Sequence, residues 1–166
     1  MKLFSANALW GALLASLCCG AAMAADLSTV KQWVSQYPSE KILDGKPLWD
    51  QPGVQAAMRA AMGDRVFALA QKATHSPEAP VASDGKGDFA AWSCVEADDC
   101  AGNNMTVFFD SAAGNAQVCW RSSDGAGGKV QDLWLANGGE RPLPINGCGV
   151  GERDPFASLK RYGDAK

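Results

Sequence analysis

Two cysteines enclose a short acidic segment near the middle of the chain, Cys94-Val95-Glu96-Ala97-Asp98-Asp99-Cys100. Strand-like runs stand on both sides of it, at residues 89–92 and 105–109. In an oxidising compartment, a bond between the cysteines closes this segment into a small covalent loop carried by a sheet. A loop constrained in this way loses little conformational entropy when it binds, so we predict that it is the functional element. The predicted contact residues are Glu96, Ala97, Asp98 and Asp99.

The first 24 residues have the pattern of a cleaved secretory signal. Lys2 provides the positive charge, an apolar run follows at residues 9–19, and Ala22-Met23-Ala24 is a small-residue cleavage site. The apolar run is too short to span a bilayer comfortably. The residues before Cys18 and Cys19 do not suit lipid attachment. We therefore expect a signal peptide at residues 1–24, no membrane anchor, and a single mature domain at residues 25–166.

The predicted mature chain keeps four cysteines, which are Cys94, Cys100, Cys119 and Cys148. An even number of cysteines in a secreted chain is typical of disulfide bonding. Three pairings are possible, and we favour Cys94–Cys100 together with Cys119–Cys148. In the chain-entropy model the second bond closes a loop of about 30 residues and contributes about 3–4 kcal/mol, while the first contributes about 2 kcal/mol. The first bond is therefore expected to shape the loop locally.

The charge of the chain indicates which partners are expected. Removal of residues 1–24 takes away one positive charge, that of Lys2, and changes the formal charge from −3 to −4. The sequence has no basic run and no alternation of basic with aromatic residues, so we expect no nucleic-acid partner. A mildly acidic chain favours a cationic protein partner through a long-range attraction that salt weakens.

Apolar spacing predicts helices in the first part of the chain. A short helix is predicted at residues 27–34, where four apolar side chains share one face, and it ends before Pro38. A second helix is predicted from residue 54, with an interruption at Gly63-Asp64 and a continuation to Ala70. These helices end before Asp88, where the helical spacing of apolar residues gives way to a strand-like alternation.

After Asp88 the sequence alternates as strands do. Strands are predicted at residues 89–94, 105–109, 117–121 and 130–135, with an edge segment at 141–148 and a short edge strand near Val81. The tail after Gly151 is expected to be loosely attached. Helices followed by a run of strands with short turns predict an α+β fold. We expect an antiparallel β-sheet of about five strands with N-terminal helices packed against it.

The residues needed for catalysis are scarce. His75 is the only histidine and lies in a Thr-His-Ser-Pro loop, and we interpret it as a solvated surface residue. Oxidised cysteines leave no free thiol for a Cys–His pair. The chain has no glycine-rich phosphate loop and no Gly-x-Ser-x-Gly motif. The prediction is that the protein is not an enzyme and uses no cofactor.

The acids of the loop allow two further interpretations. A glycosidase needs one carboxyl group kept protonated by burial, whereas Glu96, Asp98 and Asp99 are expected to be solvated and ionised. A calcium site that adds Asn103 and Asn104 does not match the EF-hand spacing, so no metal is predicted. A simpler interpretation is that these acids keep an exposed loop soluble. Replacing Asp98 and Asp99 together with alanine is expected to change partner binding and to leave stability nearly unchanged.

The closed loop is followed by Asn103-Asn104-Met105-Thr106-Val107-Phe108-Phe109, and Leu133-Trp134-Leu135 stands in a later strand. With these motifs the chain resembles the inhibitor of vertebrate lysozyme (Ivy) family of periplasmic proteins. The likeness extends over about residues 45–136 and is most specific at 92–109. Cys119 and Cys148 are additions to the family pattern. The resemblance implies a sheet flanked by helices, a periplasmic location and, because several members are dimers, a homodimer as one oligomeric state.

In that family the cysteine-closed loop enters the lysozyme cleft and hydrogen-bonds the catalytic carboxylates. The resemblance matches Cys94 and Cys100 to the bridge and Asp99 to the family's acid. Asp98 stands where the family has a histidine, Ala97 stands where it has a proline, and one residue is inserted. An ionised aspartate cannot donate a hydrogen bond to a carboxylate. Placing ionised acids in an acidic cleft costs several kcal/mol of binding free energy, unless one of the groups is protonated or bridged by a cation.

Three functions follow from these observations. The first, implied by the resemblance, is inhibition of lysozyme or another peptidoglycan hydrolase through the loop at 94–100, as in evasion of host defence. The second is an immunity-type or binding protein of the same fold, directed at another wall-active enzyme or a toxin with a cationic cleft. The third is a periplasmic binding or structural module without an inhibitory role.

Overall fold

The computed structural model describes residues 24–124, 128–148 and 153–163. The predicted signal peptide, apart from Ala24, lies outside the described residues. Two α-helices and six strands form the described fold. The helices are α1, Pro52–Ala70, and α2, Ala157–Tyr162. The strands are β1, Ala82–Ser83; β2, Asp88–Cys94; β3, Asn104–Asp110; β4, Asn115–Ser123; β5, Val130–Ala136; and β6, Gly139–Pro142.

The six strands form one antiparallel sheet in which each strand pairs with its neighbours in the sequence. The predicted α+β fold with an antiparallel sheet is confirmed. The sheet has six strands where about five were expected, and the short edge strand predicted near Val81 is confirmed as β1, whose two residues pair with Ala90 and Phe89 of β2. The predicted edge segment begins as β6 and passes into turns after Pro142.

The helix predicted at residues 27–34 is a single 3₁₀ turn, Val30–Trp33. The turn ends because Val34 has an extended backbone and Ser35 has a φ of 65°. The apolar spacing still identified buried residues, since Leu27, Val30 and Trp33 are almost completely buried. The prediction of a helix was wrong, and the prediction of a buried face was right.

The interrupted helix is confirmed in α1. Pro52 occupies its first turn, where a missing backbone N–H costs nothing. Gly63 lies inside it with φ 69° and ψ 163°, a conformation that is essentially restricted to glycine. The buried side chains of both halves face the sheet, and α1 contacts β4 and β5.

The central strands are covered on both faces. In β3, Met105, Val107 and Phe109 belong to the core shared with α1, and Phe108 belongs to a second core on the opposite face. This alternation follows from the two-residue period of a strand. Most of the large aromatic residues of the fold are buried, among them Trp33, Trp49, Trp120, Phe108 and Phe109, whereas Trp92 is half-buried.

The second core includes the C-terminal residues. Phe156 is buried against it, and the ring of Tyr162 in α2 lies 6.3 Å from that of Trp134. Arg141 of β6 donates a hydrogen bond to the carbonyl oxygen of Tyr162. For residues 153–163 the expectation of a loosely attached tail was therefore wrong. An isolated aromatic residue in a short tail does not indicate from the sequence which surface it will meet.

Candidate functional site: a disulfide-closed acidic loop

The acidic segment forms a closed loop at the end of the sheet. Cys94, the last residue of β2, pairs in register with Asn104, the first residue of β3. A disulfide joins Cys94 to Cys100 across a Cα–Cα distance of 5.0 Å. At the base of the loop, the N–H of Val95 donates to the carbonyl oxygen of Asn103 over 2.9 Å. The favoured pairing of this bridge, and that of Cys119 with Cys148, is confirmed.

The residues at the tip of the loop face solvent. Glu96, Ala97 and Asp98 are exposed. None of the ion pairs found among the described residues includes either carboxylate of the tip. The tip therefore presents two acidic groups without a basic partner from the part of the chain that the structure describes. The prediction that Glu96 and Asp98 are solvated is confirmed.

Asp99 differs from its neighbours because it is half-buried and points back into the loop. Its Oδ1 accepts a hydrogen bond from the N–H of Gly102 over 3.0 Å. Its Oδ2 accepts bonds from Nδ2 of Asn103 and Oγ of Ser123, each over 3.0 Å. The expectation that Asp99 is solvated like the other loop acids was wrong. Its hydrogen bonds hold the loop to β4.

Gly102 and Asn103 allow this arrangement. A Cβ at Gly102 would lie 2.5 Å from a carboxylate oxygen of Asp99, so a side chain there would displace the acid. Asn103 donates from Nδ2 to Asp99 and accepts at Oδ1 from the N–H of Ser123 over 3.1 Å. Two of the side chains that the sequence offered for a calcium site, Asp99 and Asn103, are thus used in hydrogen bonds between the loop and Ser123.

A buried ion pair supports the loop from the sheet. Arg121 and Asp132 are 5% and 2% exposed, and they face each other across β4 and β5. Two parallel hydrogen bonds of 2.7 and 2.8 Å join them, the geometry in which arginine binds a carboxylate most strongly. Arg121 also donates through Nη1 to the carbonyl oxygen of Ala101 over 3.3 Å. This pair was not predicted from the sequence, although a lone arginine in an apolar strand is a signal of a buried acidic partner.

The segment at residues 74–78 supports the start of the loop from the other side. The N–H of Cys94 donates to the carbonyl oxygen of Pro77 over 2.9 Å, and the N–H of Thr74 donates to that of Val95 over 3.3 Å. Glu78 forms an isolated antiparallel bridge with Ser93. At the start of the loop, the backbone of Cys94 and Val95 is therefore hydrogen-bonded both to the segment at residues 74–78 and to Asn103.

His75 lies within this supporting segment and is not a solvated surface residue. Its ring is half-buried, stacks on Trp49 at 5.0 Å, and places Nδ1 3.1 Å from Oγ of Ser93. Burial lowers the pKa of His75, against the opposing effect of the carboxylates of Glu78 and Asp50. Ser93 is completely buried, so this Ser–His pair offers no nucleophile to a substrate.

The described residues contain no group of three or more His, Cys, Asp or Glu side chains placed to hold a metal ion. The helices of the described ranges are all too short or too polar to cross a membrane.

No protein-family model, curated protein or solved structure matches the chain. The geometry of the closed loop is therefore the basis on which a function is proposed.

Proposed function

We propose that this protein is a periplasmic inhibitor of lysozyme-like, peptidoglycan-cleaving enzymes, which inserts the loop at 94–100 into the active-site cleft. The observation that carries the proposal is the separation of roles within the loop. Glu96, Ala97 and Asp98 are exposed at its tip, whereas Asp99 and the disulfide hold its base.

The internal bonds of the loop favour tight binding. Ordering a flexible segment at an interface costs about 0.5–1.5 kcal/mol for each immobilised side chain. Here the disulfide, the hydrogen bonds of Asp99 and the contact from Arg121 to Ala101 restrain the loop before it meets a partner. A restrained loop keeps more of its contact energy as affinity.

The chemistry of the tip limits the hydrogen bonds that it makes in a cleft. Ionised Glu96 and Asp98 accept hydrogen bonds and cannot donate them. A muramidase holds one catalytic glutamic acid in its protonated form through a raised pKa, and that group can donate to one of the two acids. Inhibition of this kind is expected to weaken as the pH rises and the enzyme's acid loses its proton.

The exposed charges also favour the second candidate function, an inhibitor or immunity-type protein directed at a wall-active enzyme or toxin with a cationic cleft. The loop has no histidine, lysine or arginine, and its tip carries two acids that form no ion pair with the described residues. A positive cleft would complement these charges and accelerate association at low salt.

The test is an inhibition assay with the purified mature protein in excess over a C-type lysozyme, and over an amidase and a lytic transglycosylase. We expect inhibition of one of them, with affinity reduced about tenfold or more by Glu96→Gln combined with Asp98→Asn. Asp44→Asn combined with Asp64→Asn is the matched control, because it removes two exposed carboxylates elsewhere and is expected to leave inhibition unchanged.

The outcomes separate the candidates. Inhibition of the lysozyme that the tip variant weakens and the control does not supports the first function. Failure to inhibit the lysozyme together with inhibition of another wall-active enzyme supports the second. Equal inhibition by the tip variant and the wild-type chain would exclude insertion of this loop, whichever enzyme is bound. Inhibition of none of the enzymes would contradict the proposal.

A further inference from the structure

A groove of about 470 Å³ lies directly beside the loop. Val95 and Glu96 of the loop line it, together with residues of the second half of α1, the turn after this helix, and β4 and β5. We call it the loop-side groove. Since the loop forms part of its lining, a partner that covers this side of the loop also meets the groove.

The loop-side groove has an apolar surface that reaches solvent. Val66, Trp120 and Leu133 are buried in its lining, and Val95 is half-buried. Leu69 lines the same groove and is 47% exposed. Because an exposed apolar side chain gains free energy when a partner covers it, Leu69 is suited to contact an apolar group.

The charged residues of the groove differ in whether they have partners. Arg65 and Glu140 form an ion pair at 2.5 Å and so neutralise each other. Lys72 and Glu96 are exposed and belong to none of the ion pairs among the described residues. The groove therefore presents a cationic group close to the loop that an acidic group of a partner can complement.

The size of the loop tip requires a larger interface. A stable protein–protein interface buries about 800 Å² on each partner and involves about 20–30 residues a side. The tip offers only three exposed residues, which are Glu96, Ala97 and Asp98. A protein that takes up the tip must therefore also cover surface beside it.

Two grooves are available for this contact. The second, of about 430 Å³, lies between the end of β4, the start of β5 and Ile145. No residue of the loop at 94–100 lines it, whereas two residues of the loop line the loop-side groove. Continuity with the loop therefore favours the loop-side groove.

We propose that the enzyme whose cleft receives the loop tip also docks on the loop-side groove. It places an apolar side chain against Leu69 and an acidic group against Lys72. This proposal rests on the proposed function and specifies the chemistry of the enzyme's surface beside its cleft. Because a basic group at that place would be repelled by Lys72, the groove contributes to the selection among wall-active enzymes.

The test measures binding of the mature, disulfide-bonded protein to an immobilised C-type lysozyme, an amidase and a lytic transglycosylase. For the enzyme that binds, Leu69→Ser is expected to weaken affinity about four- to tenfold, because about half of a leucine side chain is no longer covered. Ile42→Ser is the matched control, since Ile42 is 38% exposed and does not line the groove.

A charge reversal tests the contact of Lys72. Lys72→Glu is expected to slow association about threefold or more at low salt, with a smaller effect at high salt. Lys31→Glu is its matched control, because Lys31 is exposed and lines neither groove. Lys72→Glu alters an exposed side chain, so it tests the groove even if Leu69→Ser lowers the stability of the fold. Denaturant unfolding of each variant identifies such a loss.

The outcomes distinguish the groove from the loop. The docking proposal is overturned, and loop insertion retained, if Glu96→Gln with Asp98→Asn weakens binding while both groove variants bind as their controls do. It is also overturned if Ile145→Ser weakens binding and the groove variants do not, since the second groove is then the contact. Weaker binding of the groove variants alone supports docking and contradicts insertion of the loop. Binding to none of the three enzymes overturns both proposals.

Discussion

At the scale of single residues, two adjacent aspartates of the loop have different roles. Asp98 is exposed and belongs to none of the ion pairs in the described part of the chain. Asp99 accepts three hydrogen bonds, from Gly102, Asn103 and Ser123. Side-chain identity alone does not distinguish them. From the structure, we therefore expect only Asp98 to be dispensable for stability.

Separate alanine variants test this distinction. Asp99→Ala is expected to lower the free energy of unfolding by about 1–3 kcal/mol, because it leaves donors of Gly102, Asn103 and Ser123 without their charged acceptor. Asp98→Ala is expected to change it by less than about 0.5 kcal/mol, as for an exposed surface position. Equilibrium denaturation of both variants gives the comparison, and equal free energies would contradict it.

At the scale of elements, the loop is held by the strands behind it. Arg121 of β4 and Asp132 of β5 form a buried pair, and Arg121 reaches Ala101 at the base of the loop. The carboxylate of Asp132 also accepts from the N–H of Cys148 over 3.4 Å. One ion pair thus connects the loop, two strands and the segment that carries the second disulfide.

Removing one charge of this pair is expected to lower the free energy of unfolding more than removing both charges. Arg121→Met is expected to lower the free energy of unfolding by about 3–5 kcal/mol, because Asp132 is left as an uncompensated buried charge. Arg121→Met combined with Asp132→Leu is expected to recover part of that loss. Denaturant unfolding measures both variants. A double variant less stable than the single one would show that the pair's other hydrogen bonds dominate.

At the scale of the whole molecule, the two disulfides restrain different lengths of chain. Cys94–Cys100 spans six positions and shapes one loop. Cys119–Cys148 spans 29 positions and joins β4 to the segment after β6, within the second core. The first bond serves mainly the site, and the second serves mainly the stability of the fold.

Paired alanine variants separate these contributions. Cys119→Ala with Cys148→Ala is expected to lower the free energy of unfolding by about 3–4 kcal/mol. Without this bond the unfolded chain gains more conformational entropy than without the other, because the longer loop is no longer closed. Cys94→Ala with Cys100→Ala is expected to cost about 2 kcal/mol. Chemical denaturation under non-reducing conditions measures both losses. The chain-entropy account is wrong for this protein if the shorter loop proves the more stabilising.

The sequence by itself determined the features that depend on neighbours in the chain. The strand period placed Met105, Val107 and Phe109 on one face, as observed. The interruption of α1 at Gly63 and the position of the closed loop between β2 and β3 were predicted for the same reason. Periodicity, glycine conformations and cysteine spacing are local properties that a linear sequence carries directly.

The tertiary structure alone decided which polar groups meet. Asp99 turns toward Ser123, which lies 24 positions away, and His75 meets Ser93 across 18 positions. Arg121 finds Asp132 because β4 and β5 pair in one register, and a shift by one residue would place them on opposite faces. Such contacts depend on how distant segments are packed. The sequence therefore determined where the loop lies, and packing decided which of its acids face solvent.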